Sequence, residues 1–152
     1  MLKRVVKMGG EELCFLLLIV LSVSRAEVEG RGSLLASQGA ALVEWKRSFS
    51  GPVPELDSWR LSDIASVCKW NYVTCNLEER AIVELNLIEI PLNGTLSGFE
   101  FPVFVSLTSF DLSSSKVRGS IPSAMGILSS LVNLSLGENY LEGQIPPEIW
   151  SL

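Results

Sequence analysis

Residues in the C-terminal half of the chain recur at a fixed spacing of 24 positions. The recurring set is Leu107, Phe110, Leu112, Val117, Gly119, Ile121 and Pro122, matched by Leu131, Leu134, Leu136, Leu141, Gly143, Ile145 and Pro146. A weaker copy lies 25 positions upstream, at Leu85, Leu87, Leu92, Gly94 and Leu96. A repeat of this length indicates a solenoid, because each unit buries its apolar side only against its neighbours.

Within each unit, polar and apolar residues alternate over a short stretch. In residues 133–137 this alternation predicts a strand with Leu134 and Leu136 directed into the core. The pattern LxxLxL followed by LxGxIP is typical of leucine-rich repeats. We therefore predict an α/β-type leucine-rich-repeat solenoid with short parallel strands stacked in a curved array. The three predicted repeats span about residues 81–106, 107–130 and 131–152.

Each unit turns after its strand at a position where a side-chain amide can bond the backbone of the neighbouring unit. Asn139 occupies this position in the third unit, but Ser115 and Ile90 occupy it in the second and first. Serine can supply a weaker hydrogen bond and isoleucine none. We therefore expect an incomplete ladder of side-chain bonds and looser packing in the first two units.

The segment before the repeats has the pattern of a capping domain. Apolar residues at helical spacing, including Trp45, predict a short amphipathic helix from Gln38 to Phe49. Trp59 and Trp70 follow in a stretch with turn-forming residues. Because a solenoid needs its first unit covered, we interpret the three tryptophans as the apolar plug of a cap rather than as a ligand cage.

The N-terminus resembles a secretory signal peptide. A basic cluster precedes the apolar run at residues 13–23, and small residues then predict cleavage after Ala26, which gives a signal peptide over residues 1–26. Glu11 and Glu12 are untypical there and leave a membrane-anchored alternative open. The apolar run is shorter than the ~20 residues that a bilayer span needs.

Removal of this segment changes the charge and the cysteine count. The formal net charge would change from −5 to −7, which argues against a nucleic-acid partner and favours basic ligands. Cys14 would be lost, and Cys68 and Cys75 would remain as an even pair, for which we predict a disulfide. A zinc site is a weak alternative, because zinc needs four ligands and the chain offers two cysteines and no histidine. We predict no metal and no cofactor.

The motifs together resemble a known family. The order of ALVEWKRSF, LDSW, CKWNYVTC and LxGxIP repeats is similar to the N-terminal cap and first repeats of plant leucine-rich-repeat receptor-like serine/threonine kinases. The resemblance divides the chain after the signal peptide into a flexible segment at 27–37, a cap at 38–80 and repeats at 81–152. Family members commonly carry a glycine at the position of Tyr72, so the tightness of the cap turn is open.

The resemblance implies a function in recognition. Members of this family bind secreted peptides or other ligands on the repeat surface, recruit a co-receptor and signal through a membrane helix to a cytoplasmic kinase. The sequence shows no second apolar span, no glycine-rich nucleotide loop and no catalytic-loop motif, so we expect no enzyme activity from this chain. The expected module is extracellular or at the cell surface, with a protein or peptide ligand and a co-receptor as partners of the full ectodomain.

Two alternatives to a receptor ectodomain are open on the sequence. The chain could be a free-standing secreted leucine-rich-repeat protein, such as an inhibitor of a cell-wall-degrading enzyme. The resembling inhibitors have a more cysteine-rich cap and more repeats, which argues against this alternative. The second alternative is an enzyme. It lacks support because the serines of the repeats have no neighbouring base and the chain has no histidine.

Candidate site residues fall into two groups. Exposed strand positions on the concave side are candidates for ligand binding: Glu84, Asn86, Ile88, Ser109, Asp111, Ser113, Asn133, Ser135 and Gly137. They include no aromatic anchor, so the favoured alternative is a solvated face that only positions later repeats. The sequons at Asn93 and Asn133 are candidate N-glycosylation sites in the secretory pathway.

Overall fold

The computed structural model describes residues 34–152, so the predicted signal peptide and its cleavage site lie outside the described residues. An α-helix, α1, covers residues 34–47. The strands are β1 (Val73–Asn76), β2 (Ala81–Asn86), β3 (Ser109–Asp111), β4 (Arg118–Gly119), β5 (Asn133–Ser135) and β6 (Tyr140–Leu141). Short 3₁₀ helices connect them at Pro54–Leu56, Leu61–Lys69, Phe101–Phe104, Ser123–Ile127 and Pro147–Ser151.

The main sheet confirms the predicted repeat architecture. Its strands lie in the order β1-β2-β3-β5, with β2, β3 and β5 parallel and β1 antiparallel to β2. The register pairs Leu85 with Phe110 and Phe110 with Leu134, which are the positions that the sequence period relates. A second, two-stranded parallel sheet joins β4 to β6. The third-unit strand ends at Ser135 and is shorter than the predicted stretch 133–137.

Helix α1 differs from its predicted bounds. It begins at residue 34 rather than at Gln38, and it ends at residue 47, before Phe49. Residues 34–37, which the sequence placed in a flexible segment, are therefore helical. Leucine and alanine in this stretch have high helix propensity, and Leu35 packs against the core.

Gln38 joins the helix to the first repeat. Its side chain is fully buried, its Nε2 donates to the carbonyl of Val103 at 2.8 Å, and its Oε1 accepts from the N–H of Ile82 at 2.8 Å. Both polar ends of the amide are thus satisfied inside the core. These two bonds connect the cap to the first repeat, and the apolar pattern of the sequence did not indicate them.

The three tryptophans form the predicted plug of the cap. Trp45, Trp59 and Trp70 are each at most 3% exposed. Trp59 and Trp70 stack with ring centroids 6.3 Å apart, and Trp45 contacts Phe49 edge-on at 5.0 Å. Each indole N–H donates to a backbone carbonyl. The buried rings therefore leave no cage open to a ligand, and the plug interpretation is confirmed.

The cap is closed by the predicted disulfide. Cys68, at the end of a 3₁₀ helix, is bonded to Cys75 in β1, with Cα atoms 5.5 Å apart. The bond fastens the 3₁₀ helix to the first strand of the sheet. By chain entropy, closing so short a loop contributes roughly 2–3 kcal/mol to stability.

The segment between the first two units carries an unpredicted aromatic cluster. Phe99 stacks on Phe104 at 4.6 Å and on Phe110 at 5.1 Å. The ring of Phe99 also contacts Trp45 edge-on at 5.0 Å, so the cluster joins the cap to the repeats. Phe104 keeps the period of 24 as Leu128 and Leu152, whereas Phe99 has no apolar counterpart 24 positions further on, where Ser123 stands. Periodicity could therefore not reveal Phe99.

Asn139 makes the predicted bonds to the neighbouring unit. Its Oδ1 accepts from the backbone N–H of Ser115 at 3.1 Å and of Val117 at 2.9 Å. Its Nδ2 lies within donating distance of three backbone carbonyls, those of Leu112 at 2.7 Å, Leu136 at 2.9 Å and Gly137 at 3.1 Å. One side chain therefore satisfies backbone groups of two successive units.

The expectation of looser packing in the first two units is not met. Ile90 is 7% exposed and belongs to the core, and the Ser115 hydroxyl is fully buried and donates to the carbonyl of Leu87 at 2.5 Å. The least buried interior is that of the third unit, where Leu134 and Leu136 are only partly buried. Burial follows the number of neighbouring units rather than the ladder of side-chain bonds.

Candidate binding face on the strands

The nine candidate positions form one surface, which we call the strand face. The sheet register aligns Glu84, Ser109 and Asn133 in one row. A second row contains Asn86, Asp111 and Ser135. The third row contains Ile88, Ser113 and Gly137, each two residues after the end of its strand. Backbone hydrogen bonds continue beyond the strands, from the N–H of Glu89 to the carbonyl of Ser113 and from the N–H of Ser114 to the carbonyl of Gly137, so the structure brings all nine residues together.

The first two rows border a shallow depression on the strand face. Its volume is about 470 Å³, and it lies across β2, β3 and β5. It is polar, since hydroxyl, amide and carboxylate groups surround it. Such a surface can accept hydrogen bonds from a ligand over the full width of the sheet, but it offers little apolar area for burial.

The charged groups on the strand face are acidic. Among its nine residues, Glu84 and Asp111 carry charge and none is basic. Asp111 also stabilises its own turn, because its Oδ1 accepts from the N–H of Ser113 at 2.9 Å. Beside the face, Glu138 accepts from the hydroxyl of Ser114 at 2.7 Å. The arrangement favours a ligand that presents cationic or hydrogen-bond-donating groups.

The sequence missed the contribution of the cap to this surface. Because β1 pairs with β2, it extends the sheet and places Tyr72 and Thr74 beside Glu84, Asn86 and Ile88. These side chains border a second depression of about 340 Å³. The signal in the sequence was the alternation in Asn-Tyr-Val-Thr-Cys, which has the two-residue period of a strand.

The cap turn at Tyr72 is formed with a left-handed backbone. Tyr72 has a φ of 68°, a conformation that glycine adopts without steric cost. Its carbonyl accepts from the N–H of Asn86 at 3.1 Å, which joins the turn to the end of β2. The turn is therefore made despite the absence of a glycine at this position.

The two sequons have different surroundings. Asn133 is exposed on the strand face. Asn93 is partly buried in a turn with a φ of 49°, and its Nδ2 donates to the carbonyl of Pro91 at 2.9 Å. A glycan on Asn133 would stand directly over the depression between β3 and β5. Glycosylation of both residues stays a prediction.

Two further features bear on possible chemistry. Within residues 34–152, no group of three or more histidine, cysteine, aspartate or glutamate side chains is placed to hold a metal ion. In the same part of the chain, no helix combines the length and apolar character that crossing a membrane requires.

Two parts of the chain match known protein families. Residues 35–76 match the family described as Leucine rich repeat N-terminal domain. Residues 130–152 match the family described as Leucine Rich Repeat. The first match contains the helix, the tryptophans and the disulfide of the cap, and the second covers the last unit of the solenoid.

A curated relative is similar over most of the chain. The chain is 36% identical over 113 residues to the Leucine-rich repeat receptor-like serine/threonine-protein kinase RGI4 of Arabidopsis thaliana. The similarity covers 74% of this chain and 10% of that kinase. The chain spans between 9% and 25% of the length of the first curated relatives that it matches.

Solved ectodomains have the same fold. One is the ectodomain of the Arabidopsis thaliana receptor kinase GASSHO1/SCHENGEN3 in complex with CASPARIAN STRIP INTEGRITY FACTOR 2, with a TM-score of 0.65, 34% identity and coverage of 75% of this chain and 14% of that one. Another is the ectodomain of the Arabidopsis receptor kinase HAESA with an extended IDA peptide hormone ligand, with a TM-score of 0.60, 29% identity and coverage of 77% and 19%. The chain therefore belongs to the leucine-rich-repeat proteins and is similar, from its cap through its repeats, to the ectodomains of plant receptor-like kinases.

Proposed function

We propose that the chain is an extracellular recognition module that forms the N-terminal part of a plant receptor-like kinase ectodomain and takes part in ligand perception. The observation that carries this proposal is the continuous strand face, in which the sheet register aligns polar residues of three neighbouring strands in two rows. Its partners are a protein or peptide ligand and, through the full ectodomain, a co-receptor. The similar GASSHO1/SCHENGEN3 and HAESA ectodomains were solved with bound ligands, which supports this assignment.

The proposal includes the path of the chain to the cell surface. A signal peptide over residues 1–26 would direct it to the secretory pathway, where Cys68 and Cys75 can form their disulfide. Asn93 and Asn133 would meet the glycosylation machinery in the same compartment. The proposed role of the module is binding rather than catalysis.

The charge of the strand face indicates the chemistry of the ligand. Glu84 and Asp111 lie on neighbouring strands, and the nine residues of the face include no lysine or arginine. A ligand with basic side chains would gain electrostatic attraction, whereas an acidic one would be repelled. We therefore propose a basic or neutral peptide segment as the ligand that these units contact.

Selection of peptides on the protein tests this function. Random-peptide phage display against the full chain should enrich basic sequences, and binding of the enriched peptides should fall by about tenfold or more in the Glu84→Lys, Asp111→Lys double variant. Glu142→Lys is the matched control, because Glu142 is exposed outside the strand face. The proposal is wrong if no peptide is enriched, or if the control weakens binding as much as the double variant.

A further inference from the structure

Tyr72 is exceptional among the residues with a left-handed backbone. The described non-glycine residues with positive φ are Tyr72, Arg80, Glu89, Asn93, Ser114, Lys116 and Glu138, and Tyr72 is the aromatic member of this group. A bulky side chain in this conformation costs free energy that glycine would avoid. Strained residues of this kind cluster at binding sites, where the side chain is needed in a fixed place.

The surroundings of Tyr72 have the composition of a binding hot spot. Its side chain is 37% exposed, and the neighbouring Ile88 is 43% exposed, so the two present apolar area at the cap end of the sheet. Thr74, Glu84 and Asn86 complete the border of the depression of about 340 Å³. Tyrosine is among the residue types enriched at the positions that contribute most to binding energy at protein interfaces.

The charge beside the ring indicates what would bind there. Glu84 lies opposite Thr74 in the β1–β2 pairing, and the residues that border the depression include no basic side chain. A bound segment that inserts an apolar side chain between Tyr72 and Ile88 would place its neighbouring residue near the Glu84 carboxylate. A lysine or arginine there is attracted, and a glutamate is repelled.

We propose that Tyr72 and Ile88 form an anchoring site at the junction of the cap and the first repeat, which binds a peptide segment carrying an aromatic or branched apolar residue next to a lysine or arginine. This inference rests on the proposed recognition function and deepens it. It adds an apolar anchor to a strand face that otherwise offers only polar and acidic groups. Recognition would then begin at the cap and continue along the strands.

The test uses NMR of the full chain, labelled at the backbone amides and at the isoleucine methyl groups, with three blocked peptides. The probe is Gly-Arg-Trp-Arg-Gly, and the two comparison peptides replace both arginines by glutamate or the tryptophan by glycine. The probe should shift the Ile88 methyl resonance in a saturable manner, and both comparison peptides should bind at least about tenfold more weakly.

Variants separate the side chain from the fold. Tyr72→Gly removes the ring and the backbone strain together, so it should stay folded while binding the probe at least about tenfold more weakly. Tyr72→Phe should retain affinity, and Ile88→Ala should weaken it without touching the strained turn. Tyr140→Ala is the matched control, because Tyr140 is 67% exposed on β6 and should leave binding unchanged.

Two results would overturn the anchoring site. If the probe binds Tyr72→Gly as it binds the original chain, the ring is not an anchor. If the probe shifts the backbone resonances of Asp111 and Ser135 but not Ile88, the strand face binds peptides without this site, and the proposed function stands alone. Absence of any shift on the sheet would count against both proposals.

Discussion

Replacement of Asn139 should destabilise the solenoid far more than its partial exposure suggests. The side chain accepts hydrogen bonds from the backbone N–H groups of Ser115 and Val117 and donates to carbonyls of its own and the preceding unit. In Asn139→Ala all of these bonds are lost at once. Both N–H groups donate to the Oδ1 of Asn139, so the variant leaves them without that acceptor.

The expected magnitude follows from these two groups. A backbone N–H that loses its partner away from water costs about 1–3 kcal/mol, and the carbonyls add less because water can reach the partly exposed ones. We therefore expect a loss of about 3 kcal/mol in the free energy of unfolding. This is a large fraction of the about 5–15 kcal/mol typical of a domain, and it corresponds to a fall in Tm of about 10 °C.

Urea and thermal unfolding followed by circular dichroism would measure this loss. Asn133→Ala is the matched control, because Asn133 is an exposed asparagine on the same unit, and it should change stability by less than about 0.5 kcal/mol. A loss below about 1 kcal/mol for Asn139→Ala, or one equal to that of the control, would refute the argument that this amide holds two units together.

Three further predictions concern the cap and the last unit. Tyr72→Gly should be more stable than Tyr72→Ala by about 1 kcal/mol in urea unfolding, since both remove the ring but only glycine relieves the left-handed backbone; equal stabilities would contradict the strain. Trp70→Ala should cost about 3–5 kcal/mol, whereas Trp150→Ala, at a residue 75% exposed, should cost less than about 0.5 kcal/mol in the same assay. Val132, Trp150 and other apolar side chains of the last unit are exposed, so residues 27–152 alone should self-associate in sedimentation experiments. Appending further repeats with a polar cap should make the protein monomeric. A monomer without these repeats would contradict this expectation.

The pairing of the strands could be predicted from the sequence because the stacking of the units determines both the spacing of the apolar residues and the register of the strands. Leu85, Phe110 and Leu134 must occupy equivalent core positions for the units to stack, so their spacing in the chain gives the pairing of the strands. The role of Asn139 was predictable for a similar reason, since its turn position recurs in each unit. Features that repeat with the solenoid are therefore visible in the sequence.

Features that occur once were not predictable in this way. The buried amide of Gln38 bonds to Ile82 and Val103 of the first repeat, which lie far away in the chain. Phe99 contacts Trp45 of the cap as well as Phe104, and its counterpart 24 positions later is Ser123. No period relates Gln38 or Phe99 to other residues, so only the folded structure shows what they contact.

The candidate site also contains residues that repeat with the units and residues that occur once. The rows that contain Glu84, Ser109 and Asn133 followed from the strand period. For Tyr72, the alternation in residues 71–75 indicates a strand, but its place on the face depends on the antiparallel pairing of β1 and on a left-handed turn. The polar part of the face was therefore predictable, and its aromatic edge was missed.

The central claim is that this module recognises its ligand through the strand face, and photo-crosslinking tests it most directly. Benzoylphenylalanine would be placed at Ser109, on β3 within the face, or at Ser123, an exposed residue in a 3₁₀ helix of the second repeat. A biotinylated peptide selected on the full chain is then added and irradiated. The account predicts crosslinking at Ser109 and little at Ser123. Crosslinking at Ser123 with none at Ser109 would contradict it.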